Sequence, residues 1–252
     1  MDVVQGVDAL RGDHGPAFVV VGVFDGLHRG HAYLLGHLIA EASARSSRAT
    51  VITFDHHPDE VLTGAAPSLL IDPDERLERL AAAGVEITVV QHFDDALRRT
   101  TYDDFVERIR ARTSLTGFLM TADAAFGYER HGTPAALADL GGRDGFDVVV
   151  VPTFEIDGRS VRSSDIREAV TSGDLSRAER LLGRPFTLTG RVGRNGIMTF
   201  AMPTALPPDG TYDCEVGGRP ETVEIADGEV RVTAGPPEEG RAQVSFAGAG
   251  SS

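Results

Sequence analysis

The sequence predicts an α/β protein, a doubly wound Rossmann-like parallel sheet followed by a small all-β barrel-like module. Three observations point there. Short apolar runs alternate with helical patterns up to residue 183, which is the signature of a parallel sheet covered on both faces. Beyond Gly183-Arg184-Pro185 the helical periodicity stops and short alternating strands follow, separated by Gly, Pro and Asp turns. The first apolar run, Ala17-Phe18-Val19-Val20-Val21, leads into a glycine-rich turn that opens a helix.

Five runs read as buried strands because they are short, apolar and rich in β-branched residues: Val19–Val23, Thr50–Phe54, Ile87–Val90, Gly117–Met120 and Val148–Pro152. Helical patterns separate them at Ala32–Ala44, Asp74–Ala83, Tyr102–Arg112 and Pro134–Asp139. Asp72-Pro73-Asp74-Glu75 is a strong helix start, with a capping acid, proline in the first turn and further acids behind it. The β module draws on Phe186–Val192, Thr211–Val216, Thr222–Ile225, Glu229–Thr233 and Gln243–Phe246. The expected divisions are 1–183 for the α/β domain, 184–247 for the β module and 248–252 for a flexible tail.

Bulk composition narrows the function. A net charge of −14 over 252 residues argues against a general nucleic-acid surface, and an anionic small substrate would need a local positive site. The single cysteine, Cys214, excludes an internal disulfide and fits a reducing cytoplasm. No signal peptide is evident at Met1-Asp2-Val3-Val4-Gln5, and no run approaches the ~18 apolar residues of a membrane helix. A cytoplasmic protein acting on small molecules, without nucleic-acid or membrane partners, is expected; oligomeric state is not legible.

The turn Gly22-Val23-Phe24-Asp25-Gly26-Leu27-His28-Arg29-Gly30-His31 is the leading candidate site. A helix N-terminus presents unpaired N–H groups and partial positive charge, and glycines let backbone approach a phosphate. His28 and His31 straddle the helix start, where imidazole N–H groups could stabilise an α-phosphate under attack. The bland alternative is two helix-start histidines with no role. A Walker-type Gly-Lys-Ser/Thr is absent from the turn, which disfavours P-loop chemistry. Asp25 could organise the turn or hold a magnesium-bound water. Ser163 and Ser164 precede a helix expected to begin near Asp165, where hydroxyl and N–H groups could hold phosphates, with Arg167 one turn further on and Arg162 at the edge. An ordinary capped helix with surface arginines is the competing reading.

The turn resembles the His-x-Gly-His nucleotidyltransferase signature in the longer form of bacterial FAD synthetases, Gly-x-Phe-Asp-Gly-x-His-x-Gly-His, at Gly22, Phe24, Asp25, Gly26, His28, Gly30 and His31. Further motifs follow in order. Thr53-Phe54-Asp55-His56-His57-Pro58 is similar to Thr-Phe-(Glu/Asp)-Pro-His-Pro, with His56 in place of proline. Residues 123–132 resemble a loop whose first aromatic is here Ala124, and Arg162-Ser163-Ser164-Asp165-Ile166-Arg167 resembles Ser-Ser-Thr-x-Ile-Arg. Gly173-Asp174 and the stretch from Ala178 to Pro185 complete the family's Gly-Asp…Leu-Leu-Gly-Arg-Pro ending.

The resemblance implies adenylyl transfer from ATP to the phosphate of FMN, giving FAD and pyrophosphate. It implies catalytic roles for His28, His31, Ser164 and Arg167, and nucleotide contacts from Gly22, Phe24, Asp25, Gly26, Gly30, Arg162 and Ser163. Acceptor contacts would come from His57, Pro58, Asp123, Ala125 and Phe126. Mg²⁺ would be held by phosphates, with no protein ligand. Such enzymes carry a C-terminal riboflavin kinase barrel marked by Gly-(Phe/Tyr)-Pro-Thr-Ala-Asn. Here Ala201-Met202-Pro203-Thr204-Ala205-Leu206 lacks the glycine and the asparagine, so a shortened, degenerate kinase-like module without kinase activity is expected. Two alternatives stand: transfer of AMP or CMP to a modified flavin or another phosphate acceptor, and a catalytically weak nucleotide- or flavin-binding protein.

Overall fold

The computed structural model describes residues 1–233 and 240–246; the expected tail at 248–252 lies outside the described residues. The chain divides into two compact units. One comprises Met1–Phe24, His31–Pro67 and Leu77–Phe154, the other Asp25–Gly30, Ser68–Arg76 and Glu155–Ser252.

The first unit is built on six strands: β1 (Asp2–Gln5), β2 (Ala17–Val21), β3 (Arg48–Phe54), β4 (Ile87–Gln91), β5 (Leu115–Thr121) and β6 (Asp147–Val151). Their order is β1-β4-β3-β2-β5-β6 and every pairing is parallel. Adjacent residues Phe18 and Val19 on β2 point to opposite faces, and neither has measurable exposure. Both faces are therefore covered, as expected of a doubly wound sheet. One face buries Ala17, Val19, Ile52, Ile87, Val89, Phe118 and Met120 in a cluster with Phe105, Val106, Ile109 and Leu137. The last four lie on α5 (Tyr102–Arg110) and α6 (Pro134–Asp144).

The strand order reverses at β2. From there β3 and β4 run to one side, while β5 and β6 run to the other. The carboxyl ends of β2 and β5 thus flank the switch point, where ligands of open α/β sheets collect. Gly22 follows β2, which ends at Val21 rather than at the expected Val23, and Asp123 follows β5 closely.

Several element boundaries differ from expectation. The first helix, α1, runs Arg29–Ala44 and starts three residues early, so His31 sits in its first turn. Strand β1 went unanticipated because it is an edge strand that buries only Val4. The remaining helices of the α/β region are α2 (Pro58–Thr63), α3 (Pro73–Ala82) and the single turn α4 (Asp95–Arg98).

In the second unit a two-stranded ribbon, β7 (Glu155–Ile156) with β8 (Arg159–Ser160), precedes α7 (Ser163–Thr171) and α8 (Leu175–Leu182). A closed antiparallel barrel follows in the order β10-β13-β12-β11-β14-β9. Its strands are β9 (Phe186–Val192), β10 (Ile197–Thr199), β11 (Gly210–Val216), β12 (Arg219–Ala226), β13 (Glu229–Val232) and β14 (Gly240–Phe246). Phe186, Leu188, Val223, Ile225, Val230, Val244 and Phe246 fill it, all at most 1% exposed. Closure removes the free edges that a small sheet would otherwise leave open. Strand β10 was not anticipated; its signal is the Asn195-Gly196 turn that joins it to β9.

Candidate active site

In the first unit, the Gly22 N–H donates to the Ile52 carbonyl at 3.0 Å and Thr53 Oγ1 donates to the Val23 carbonyl at 3.0 Å, so β3 anchors the exit of β2. Phe24 takes a left-handed φ of 55° and is buried. Its ring lies 5.0 Å from that of His31, centroid to centroid. The space a Gly22 side chain would take is filled by the Phe24 ring, 3.1 Å from where Cβ would stand.

The continuation of the turn belongs to the second unit and is organised by Asp25, 2% exposed. Asp25 Oδ1 accepts from the Leu70 N–H at 2.8 Å, and Oδ2 accepts from Arg167 Nη2 at 2.8 Å. Its main-chain carbonyl accepts from Ser163 Oγ at 2.9 Å. Of the two roles open to Asp25, the geometry displays the first: it holds the turn. Gly26 has φ 78°, and a Cβ there would stand 3.2 Å from Leu70. At Gly30 a Cβ would stand 3.1 Å from the His28 ring. The missing side chains of Gly22, Gly26 and Gly30 thus admit side chains of this protein. Any approach of a phosphate would depend on the main-chain N–H groups of the turn.

His28 immediately precedes α1 and is 5% exposed. Burial pushes its pKa down, with help from the positive charge of Arg184, to about 4. It is therefore neutral at physiological pH and carries one N–H donor. Arg184, which sequence reasoning assigned to no site, donates from Nη2 to the Gly26 carbonyl at 2.8 Å. Its sequence signal is the Gly183-Arg184-Pro185 ending, which marks both the boundary and the end of the family's motif series without giving the arginine a role.

Helix α7 begins at Ser163, with Arg162 in the N-cap position and exposed, so both serines lie inside the first turn rather than before it. Ser163 spends its hydroxyl proton on Asp25, while Ser164 is exposed. Arg167 uses Nε on the Ser68 carbonyl at 2.7 Å and Nη2 on Asp25, and Nη1 takes part in neither bond. The structure thus brings Asp25, Gly26, His28, Ser163, Arg167 and Arg184 into one network.

The residues expected to meet an acceptor lie in the first unit and are less uniform. His57 caps α2, its Nδ1 accepting from the Asp59 N–H at 3.2 Å, and Pro58 occupies the first helical turn. Asp123 is exposed and accepts from Thr121 Oγ1 at 2.8 Å, while Ala125 is half-buried. Phe126 packs into the core against Phe105 and Phe118, at 5.8 and 5.7 Å between ring centroids. Its aromatic face is therefore already engaged.

The sequence model of the FAD synthetase family matches residues 10–165. The chain belongs to the FAD synthetase family. Among its curated relatives is a bifunctional riboflavin kinase/FMN adenylyltransferase of Pseudomonas fluorescens, 32% identical over 208 residues, which span 81% of this chain and 67% of the relative. Another, from Escherichia coli strain K12, is 32% identical over 231 residues, spanning 86% and 74%. A solved structure described as a macrolide-efflux protein from Streptococcus pneumoniae has a TM-score of 0.80 at 22% identity, covering 97% of this chain and 88% of that one. At that identity the likeness establishes a shared fold. Membership in the FAD synthetase family makes the chain a nucleotidyltransferase. Among the described residues, no helix is long and apolar enough to cross a membrane.

Proposed function

We propose that this FAD synthetase family member transfers AMP from ATP to the phosphate of FMN, giving FAD and pyrophosphate, and does not phosphorylate riboflavin. The observation that carries the transferase reading is His28: a buried, neutral imidazole at the start of α1. A neutral imidazole can donate its N–H to an oxygen of the α-phosphate without first losing a proton. A phosphate oxygen of FMN attacks the α-phosphorus, the new P–O bond forms, and the bond to the β-phosphate oxygen breaks to release pyrophosphate. Protein groups contribute positioning and electrostatics.

His28 and His31 are assigned to the attacked phosphate. Ser164, the first-turn N–H groups of α7, Arg162 and the Nη1 side of Arg167 are assigned to the leaving pyrophosphate, with Ser163 positioning Asp25. ATP would enter as its Mg²⁺ complex, the ion being held by phosphate oxygens. The commitment of Asp25 to Arg167 and to the Leu70 N–H supports a site without a protein carboxylate ligand for that ion. Asp123, Ala125, His57 and Pro58 are assigned to the acceptor side, Phe126 to packing beneath it.

Two features support the absence of kinase activity. Leu206 stands where the resembled motif has asparagine. The preceding Pro203-Thr204-Ala205 is laced to Leu69, whose N–H donates to the Pro203 carbonyl at 2.8 Å and whose carbonyl accepts from the Ala205 N–H at 2.8 Å. Thr204 Oγ1 donates to the Met202 carbonyl at 2.9 Å, a local bond that turns the hydroxyl onto its own chain. Incubation with Mg²⁺ and either ATP or CTP, first with FMN and then with riboflavin, tests both halves. FAD and pyrophosphate are expected from FMN, and no FMN from riboflavin. Turnover with CTP but not ATP would overturn the choice of nucleotide, and FMN made from riboflavin would overturn the second half.

A further inference from the structure

Among the described residues, one cluster of metal-binding side chains outside the network around Asp25 remains unexplained. Asp55 leaves the carboxyl end of β3 and His92 leaves that of β4, the adjacent parallel strand, with Phe54 opposite Gln91 in register. The Asp55 N–H donates to the Gln91 carbonyl at 3.2 Å, which fixes the two strand exits side by side. The carboxylate is then clamped: Oδ1 accepts from the His56 N–H at 2.8 Å and from the Phe93 N–H at 3.1 Å. Oδ2 is thereby turned toward His92 Nδ1, 2.6 Å away. His56 approaches the same carboxylate, its Nδ1 3.2 Å from Oδ1. That nitrogen is buried and lies off the line of a hydrogen bond. The two imidazole rings are nearly perpendicular, with centroids 5.9 Å apart. One oxygen and two nitrogens all lie within 4.8 Å of one another.

We propose that Asp55, His56 and His92 form a binding site for a divalent transition-metal ion of the zinc, cobalt or nickel type. Ligand bonds of about 2.0–2.1 Å around a tetrahedral ion set ligand atoms some 3.3 Å apart, so the site forms when the 2.6 Å His92–Asp55 pair opens slightly and rotations of half-exposed side chains adjust the other pairs. Two imidazole nitrogens with one carboxylate oxygen select such ions over Mg²⁺, which prefers oxygen ligands and keeps its waters. The main-chain N–H groups on Oδ1 supply the outer-shell orientation that metal-bound carboxylates need. Three protein ligands leave a fourth position open to water or to an oxygen of a bound anion. The ion would take the place of the hydrogen bond between His92 Nδ1 and Asp55 Oδ2. It would also lock the start of the 55–58 segment to residue 92.

The full chain, stripped with a chelator and dialysed, would be titrated separately with Zn²⁺, Co²⁺ and Mg²⁺ by calorimetry, alongside thermal unfolding. One equivalent of Zn²⁺ or Co²⁺ is expected, with a raised Tm, and Mg²⁺ alone should leave Tm unchanged. His92→Ala and His56→Ala should each weaken Zn²⁺ binding at least about ten-fold. His131→Ala, an exposed histidine outside the cluster, should leave binding as it was. His56 and His92 are half-exposed or more, and a far-ultraviolet spectrum matching the parent shows that each variant is folded. Absence of a Zn²⁺ or Co²⁺ equivalent, or binding that survives both substitutions, overturns the site.

Discussion

Arg167 reaches back to the glycine-rich turn and donates Nη2 to Asp25 Oδ2 at 2.8 Å, joining residues 142 positions apart. The carboxylate is 2% exposed and the guanidinium about one-fifth exposed. Charge at this depth is tolerable because every carboxylate oxygen has a donor: Leu70 N–H on one, Arg167 on the other. The ion pair therefore sets the conformation of the turn and also the direction in which the rest of the guanidinium faces.

Removing one partner should cost more than removing both. Asp25→Ala leaves Arg167 half-buried without its counter-charge and should destabilise the protein by roughly 3 kcal/mol in denaturant unfolding. Asp25→Asn keeps the acceptor for Leu70 and should cost less. If Asp25→Ala unfolds within error of the parent, the turn is not held in this way.

His28→Ala should lower the turnover of FMN to FAD by about 10²–10³-fold, the range seen when one preorganised donor to a developing oxyanion is deleted. KM for ATP should change only a few-fold. Equal losses in ATP binding and turnover, read by steady-state kinetics beside ATP titration, would contradict a role specific to the transition state.

The same residue should make stability fall in mild acid. His28 titrates at about 4 when folded against an ordinary value of 6.5, so between these values the unfolded chain binds more protons. Stability conferred by the neutral ring is complete above pH 6.5 and is lost as pH falls toward 4, by up to something on the order of 3 kcal/mol. A His28→Asn variant should show a shallower fall of Tm between pH 7 and 4. An identical slope in parent and variant would place the acid sensitivity elsewhere.

Cys214 should be inert. Burial inside the barrel pushes its thiol up to about 11, and its Sγ donates to the Tyr212 carbonyl. A thiol-specific chromophore should find essentially none in the native protein at pH 8 and one equivalent in denaturant. Rapid native labelling would mean that the barrel opens.

The FAD synthetase resemblance was legible because it rests on local order: motifs in a fixed sequence, each at the carboxyl end of a strand or the start of a helix. What escaped were features decided by distant partners. Arg184 lies at a composition change, and nothing local tells that it meets the Gly26 carbonyl and lowers the basicity of His28. Ser163 reads locally as a phosphate donor because hydroxyls often cap helices, and only the folded chain shows that its proton goes to the Asp25 carbonyl. Helix α8 (Leu175–Leu182) carries a clear capping acid, Asp174, whose carboxylate accepts from the Arg177 N–H, yet eight residues gave too short a period to separate from the boundary that follows.

By itself the sequence determined the fold class, the placement of the glycine-rich turn after the first long strand, and the family, because hydrophobic period and turn chemistry act over a few residues. Tertiary structure alone decided the strand order that puts the ends of β2 and β5 at the switch point, the order in which six strands pair around the barrel, and the partners of Asp25. These are pairings across tens to more than a hundred residues, where burial and unsatisfied hydrogen-bonding groups select a partner and local propensity does not.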